Sequence, residues 1–143
     1  MPMKMMKIAI HGDLILICPG EQLLTQVADW ARDNGNTAVV LRVLSSRDFL
    51  LIHAAVRHAA IVIVDATEQP GAAMAAVESA IAHTSPTNIV VYTEQVHAGL
   101  ELFTRVRGVA LVVGPMSRPE WDVWLESLQQ VTHPMPALRT DAM

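Results

Sequence analysis

The chain has 143 residues and a formal net charge of -4, and its only lysines are Lys4 and Lys7, so every fixed positive charge after residue 7 is an arginine. That distribution excludes a P-loop lysine, a Schiff-base lysine and a lysine clamp on an acyl phosphate anywhere in the chain beyond its start, and the absence of a basic cluster argues against a reader of nucleic-acid backbones. A single cysteine, Cys18, excludes a disulfide framework and a cysteine-based zinc finger, and no apolar run reaches the roughly 20 residues of a membrane span.

Hydrophobic residues make up 52% of the chain and aromatics only 4%, so the core must be built from Ala, Val, Leu, Ile and Met. That is the composition of helices packed on a parallel sheet. In chain order, Met5 to Ile10 is a first apolar run, and His11-Gly12-Asp13 predicts a hairpin that adds it as an extra antiparallel strand. Leu14 to Cys18 (LILIC) predicts a buried strand stopped by Pro19 and Gly20. Glu21 to Asn34 predicts a helix with Leu23, Leu24, Val27 and Ala31 on one face and Gly35 as its stop. Thr37 to Leu44 is the next strand, and Ser45 or Ser46 can cap a helix carrying Phe49, Leu50, Ile52, His53 and Val56.

Ala60 to Val64 (AIVIV) is the third strand and delivers Asp65 at its carboxyl end. An alanine-rich helix from Gly71 to His83 follows, then a fourth strand, Asn88 to Tyr92, delivering Thr93. A short helix from Gly99 to Arg107 stops at Gly108 and leads into the fifth strand, Val109 to Val113. Ser117-Arg118-Pro119-Glu120 has the form of a capping box opening a helix with Trp121, Trp124, Leu125 and Leu128 on one face. Five β-α units with near-continuous apolar strands predict an α/β, doubly wound, three-layer flavodoxin-like sandwich with strand order 2-1-3-4-5. Residues 1–132 are expected to form one domain and 133–143, with Pro134 and Pro136, a flexible tail.

Ligands of such sheets bind outside the carboxyl ends of the strands. Asp65 stands out there, because a carboxylate after a β-branched run must reach the crevice or cost on the order of several kcal/mol in the core. The plain alternative is a carboxylate that hydrogen-bonds its own loop. Cys18 reads as a small hydrophobe or a crevice thiol. The histidines form no metal pattern: His53 and His58 are five apart, whereas a helical pair needs four. No metal and no cofactor are expected.

Taken together, these segments resemble the receiver domain of response regulators over about residues 14 to 131. ICPGEQLLTQVADWARDNG is similar to the first strand and helix, IVIVDATEQP to the phosphoacceptor strand, VVYTEQ to the switch strand, and RGVALVVGPMSRPEW to the fifth strand and lysine-proline turn. The resemblance implies Asp65 as phosphoacceptor, Thr93 as switch hydroxyl and Pro115 as the turn proline. It also exposes losses. Where a receiver has the acidic pair that binds Mg²⁺ stand Cys18 and Pro19, followed by Gly20; where it has its lysine stands Gly114. Pro70 comes one residue later than the receiver pattern. Without metal and lysine the charge stabilisation of phosphoryl transfer is gone, so the expectation is a cytoplasmic pseudo-receiver, a non-phosphorylated interaction module.

Receivers commonly dimerise through their last two helices. Leu100 and Phe103 on the fourth helix and Trp121 and Trp124 on the fifth are therefore the candidate interface of an expected homodimer, the alternative being that both tryptophans seal the helix against the sheet. AAIVIVDATEQPGAAMAAVESAIAHTSPTNIVVYTE is also similar to the nucleoside deoxyribosyltransferase and TIR-like group. That resemblance implies a glycoside hydrolase or transferase in which Glu78 is the catalytic carboxylate and Asp65 holds the sugar. It requires both carboxylates in one pocket; the alternative is a solvated Glu78 on the outer face of its helix.

Overall fold

The structure is a computed structural model that describes residues 13–35, 38–42, 48–57, 59–95 and 97–132. Strands β1 (Asp13–Ile17), β2 (Ala38–Leu41), β3 (Ala59–Asp65), β4 (Ile89–Thr93) and β5 (Ala110–Val113) alternate with helices α1 (Glu21–Asp33), α2 (Asp48–Val56), α3 (Pro70–Ile81), α4 (Ala98–Arg107) and α5 (Arg118–Thr132). The sheet order is β2-β1-β3-β4-β5 and every pairing is parallel. This is the doubly wound order expected from the alternation of apolar runs and helical periods.

The strands are apolar on both sides because both faces are covered. Ile15, Ile17, Val62, Val64, Ile89 and Val91 pack with Ile52 and Val56 of α2, Ala76 and Val77 of α3 and Leu100 of α4. The alternate residues Leu14, Leu16, Ile61 and Ile63 pack on the opposite face with Leu23, Val27 and Trp30 of α1 and Trp121 and Leu125 of α5. Period-two alternation therefore places Asp65 on the α1/α5 side and Thr93 on the α2/α3/α4 side.

Local signals act where the sequence puts them. Gly35 and Gly108 take left-handed conformations (φ 75° and 72°) after α1 and α4, where a side chain would be strained. The capping box forms: Glu120 Oε1 accepts the Ser117 amide at 2.8 Å, and Ser117 Oγ accepts the Glu120 amide at 3.4 Å. Arg118 then bridges Asp122 at 2.9 Å and Asp33 at 2.8 Å, joining α5 to the end of α1.

Several expectations fall differently. Residues 5–10, Ser45, Ser46 and the 133–143 tail lie outside the described residues. The hairpin expected through His11-Gly12-Asp13 also falls outside the described residues, which begin at Asp13. Leu100 and Trp121, expected at a surface, are 1% and 0% exposed. Leu100 faces the sheet, and Trp121 stacks on Tyr92 with centroids 5.4 Å apart and donates its indole N–H to Gln26 Oε1.

Candidate functional site

The carboxyl ends of β1, β2, β3 and β4 surround a crevice of about 460 Å³. Cys18, Pro19 and Gly20 form one wall, Asp65 and Thr67 the floor and opposite wall, and Arg42 and Glu94 also reach it. Cys18 leaves β1 with φ 51°, a left-handed conformation that a side-chain-bearing residue adopts at a cost, held by its amide donating to Leu41 O at 2.8 Å. That turn carries Pro19 and Gly20 across the end of β3.

Asp65 is 8% exposed, yet it meets no bulk hydrophobic penalty, because both of its oxygens accept backbone amides. Oδ2 accepts the Gly20 amide at 2.8 Å, and Oδ1 accepts the Thr67 amide at 2.9 Å. The second bond closes an Asx turn, the local arrangement an aspartate at a strand end favours. The first spans 45 residues and fixes the start of α1 to the end of β3. A Cβ placed on Gly20 would stand 3.3 Å from Oδ2, so the amide approaches closely because residue 20 has no side chain.

Thr93, 2% exposed, turns its hydroxyl onto its own loop: Oγ1 donates to Gln95 O at 3.0 Å and accepts the Gln95 amide at 3.2 Å. Thr67 Oγ1 accepts the Glu94 amide at 3.1 Å, linking the loops after β3 and β4. Tyr92 donates its hydroxyl to Glu94 at 2.8 Å. Burial pushes the Tyr92 hydroxyl well above the ordinary phenol range, with further upward contributions from the Glu94 hydrogen bond and the Glu94 and Asp65 charges.

Gly114 follows β5, its amide donating to Thr93 O at 2.8 Å, and its peptide bond to Pro115 is cis. A Cβ on Gly114 would collide with the Tyr92 ring, reaching Cε1 at 2.7 Å. The aromatic ring occupies the space where a side chain at position 114 would begin.

Glu78 is placed elsewhere. It is exposed on α3, eight residues beyond Pro70 and so about 12 Å along the helix axis from the crevice end. Its carboxylate accepts Arg107 Nε at 3.0 Å. The pairing of Glu78 with Asp65 in one pocket is thereby overturned, and with it the geometry a glycoside-processing site needs. Cys18, Pro19, Gly20 and Asp65 line one crevice. Arg42 and Thr67 were missed; Thr67 had a signal, since an aspartate binds the amide two residues on, whereas Arg42 reaches the crevice only through the β1-β2 pairing. Among the described residues, no group of three or more His, Cys, Asp or Glu side chains could hold a metal ion, and no helix is long and apolar enough to cross a membrane.

On the opposite edge, Leu102 and Val106 of α4, Val113 of β5 and Val123 of α5 are 60%, 71%, 50% and 67% exposed. Phe103 and Trp124 are half-buried and pack against the core clusters on opposite faces of the sheet. These exposed side chains are chain neighbours of residues the sequence singled out, and Leu50 and Leu51 of α2 are exposed elsewhere.

No protein-family model matches this sequence, and comparison with curated proteins finds no match. Solved structures do match in fold. A signal receiver domain of a two-component histidine kinase from Clostridium thermocellum has a TM-score of 0.63 at 15% identity, covering 83% of this chain and 98% of that one. An orphan response regulator from H. pylori has a TM-score of 0.60 at 14% identity, covering 85% and 99%. A putative pilus assembly-related protein from Burkholderia pseudomallei has a TM-score of 0.57 at 16% identity, covering 83% and 90%. The chain has the flavodoxin-like α/β fold of receiver domains.

Proposed function

We propose that this chain is a receiver-like regulatory module that works through protein contacts and without phosphoryl transfer. The observation that carries the reading is the state of Asp65. A phosphoacceptor must present a free carboxylate oxygen to an incoming phosphoryl group, with a metal beside it to neutralise the transferring charge. Here Gly20 and Thr67 amides hold both oxygens. The residues at the end of β1 do not fit the Mg²⁺ that receivers use, because Cys18, Pro19 and Gly20 offer no side-chain oxygen to a hard cation. The Tyr92 ring fills the start of the path a lysine at position 114 would take.

In this reading Asp65 is a clamp and Thr93 a loop-closing hydroxyl, neither of them catalytic. The apolar face of Leu102, Val106, Val113 and Val123 is the contact surface, with a second copy of this chain as its occupant. The fold likeness to a receiver and to a pilus assembly-related protein makes both signalling and a protein assembly natural settings for such a module. Incubation of the chain with acetyl phosphate and Mg²⁺, followed by intact mass measurement, is expected to leave the mass unchanged. A stoichiometric phosphoryl adduct on Asp65 would overturn the reading.

A further inference from the structure

At the end of the sheet away from the crevice, the seam between α2 and α3 holds a titratable cluster. His53 of α2 and His83, just past α3, stack with ring centroids 4.2 Å apart and planes inclined by 39°. His53 Nε2 lies 2.6 Å from Ser79 Oγ of α3. All three side chains are half-buried. Arg57, one residue past α2, adds a fixed positive charge that acts on His83.

The surroundings supply no compensating anion among the described residues. On α2, Asp48 starts the helix about 7.5 Å along the axis from His53. On α3, Glu78 is committed to Arg107 of α4. On β3 beneath the seam, Asp65 stands at the opposite end of the strand and holds two amides. The charges acting on His83 are His53 and Arg57, and neither is a carboxylate.

We propose that the α2-α3 seam is an acid-sensitive latch, closed while His83 is neutral and loosened when His83 is protonated in its contact with His53 and near Arg57. Partial burial, followed by the neighbouring His53 and Arg57, holds His83 below the ordinary imidazole range. The unfolded chain takes up this proton near pH ~6.5, whereas the folded seam resists it until lower pH. The stability contributed by the seam is complete above that value and is lost as pH falls from it through the folded pKa. Ile52 and Val56 of α2 and Ala76, Val77 and Ala80 of α3 are buried against the core, so loosening uncovers an apolar surface only in acid. The latch is independent of the crevice and of any phosphoryl chemistry there.

Amide hydrogen exchange on the full chain, corrected for intrinsic exchange rates and compared at about pH 7.5 and about pH 5, reads the latch directly. The opening constant of the Ile52–Val56 amides is expected to rise about fivefold or more at the lower pH, with the α4 amides unchanged. In His83→Gln the rise should vanish. A flat profile in the parent chain, or an equal rise in the variant, overturns the proposal. Should His83→Gln fail to fold, Arg57→Gln at an exposed site serves instead: the NMR titration midpoint of His83 is expected to move up, and an unmoved midpoint overturns the latch.

Discussion

The Gly20 amide and Asp65 Oδ2 meet at 2.8 Å across 45 residues, so the start of α1 is tied to the end of β3 by one charge-assisted bond. With the Thr67 amide on the other oxygen, Asp65 satisfies two half-buried donors at once. Asp65→Ala leaves both amides without their acceptor, at a cost of about 2–4 kcal/mol. Asp65→Asn keeps one acceptor oxygen and should lose about half as much. Urea denaturation midpoints check this, with the slope unchanged. Loss of less than about 0.5 kcal/mol in the alanine variant would remove the clamp.

Gly114 and Tyr92 form a second exclusive pair. Restoring a receiver's lysine by Gly114→Lys places Cβ against the Tyr92 ring and is expected to destabilise the chain by about 1–3 kcal/mol. Gly114→Ala should carry most of that loss, because the collision begins at Cβ. Thermal unfolding of the two variants distinguishes this from an effect of the lysine charge: a neutral Gly114→Ala would place the conflict further out on the side chain.

The contrast between these pairs and the strands shows what the sequence could convey. Runs such as AIVIV and NIVVY, each delivering a polar residue, announced β3 and β4, and short β-α spacing made the parallel order 2-1-3-4-5 the simplest solution. The capping box at Ser117 and Glu120 was equally legible, being confined to four residues. Helical periodicity marked the apolar side of α5 but carried no depth. Trp121 and Trp124 share a face, yet only Trp121 meets Tyr92 and vanishes from the surface. Glu78 met the same limit, since its partner Arg107 is 29 residues away on another helix. The Gly20-Asp65 and Gly114-Tyr92 contacts depend on how closely a loop approaches a neighbouring strand, and no local pattern encodes that.

The capping box also gives a pH prediction. The backbone and then the hydroxyl of Ser117 hold the Glu120 carboxyl below its usual range. A lowered carboxylate pKa contributes stability that is present above about pH 4.5 and is lost as pH falls through the folded value. Exchange protection in the first turn of α5 should therefore decline below about pH 4.5 in the parent chain and be low at every pH in Glu120→Ala. Protection independent of pH in the parent chain would show that the box does not hold the turn.

Leu102, Val106 and Val123 form the proposed contact between copies. Leu102→Glu combined with Val123→Glu should convert a dimer to a monomer in sedimentation at tens of micromolar while changing unfolding stability by no more than about 0.5 kcal/mol, since these side chains are exposed. A parent chain that sediments as a monomer at that concentration would remove the homodimer.

The most direct test of the central claim is an amide NMR titration of the chain with beryllofluoride and excess Mg²⁺, which mimic the aspartyl phosphate. The Gly20 and Thr67 amides report on the two oxygens of Asp65. With Asp65 acting as a clamp, both resonances should stay in place, together with that of Thr93. A second set of peaks at Gly20, Thr67 and Thr93, growing with beryllofluoride and absent in Asp65→Asn, would show that the carboxylate is open to phosphoryl chemistry after all.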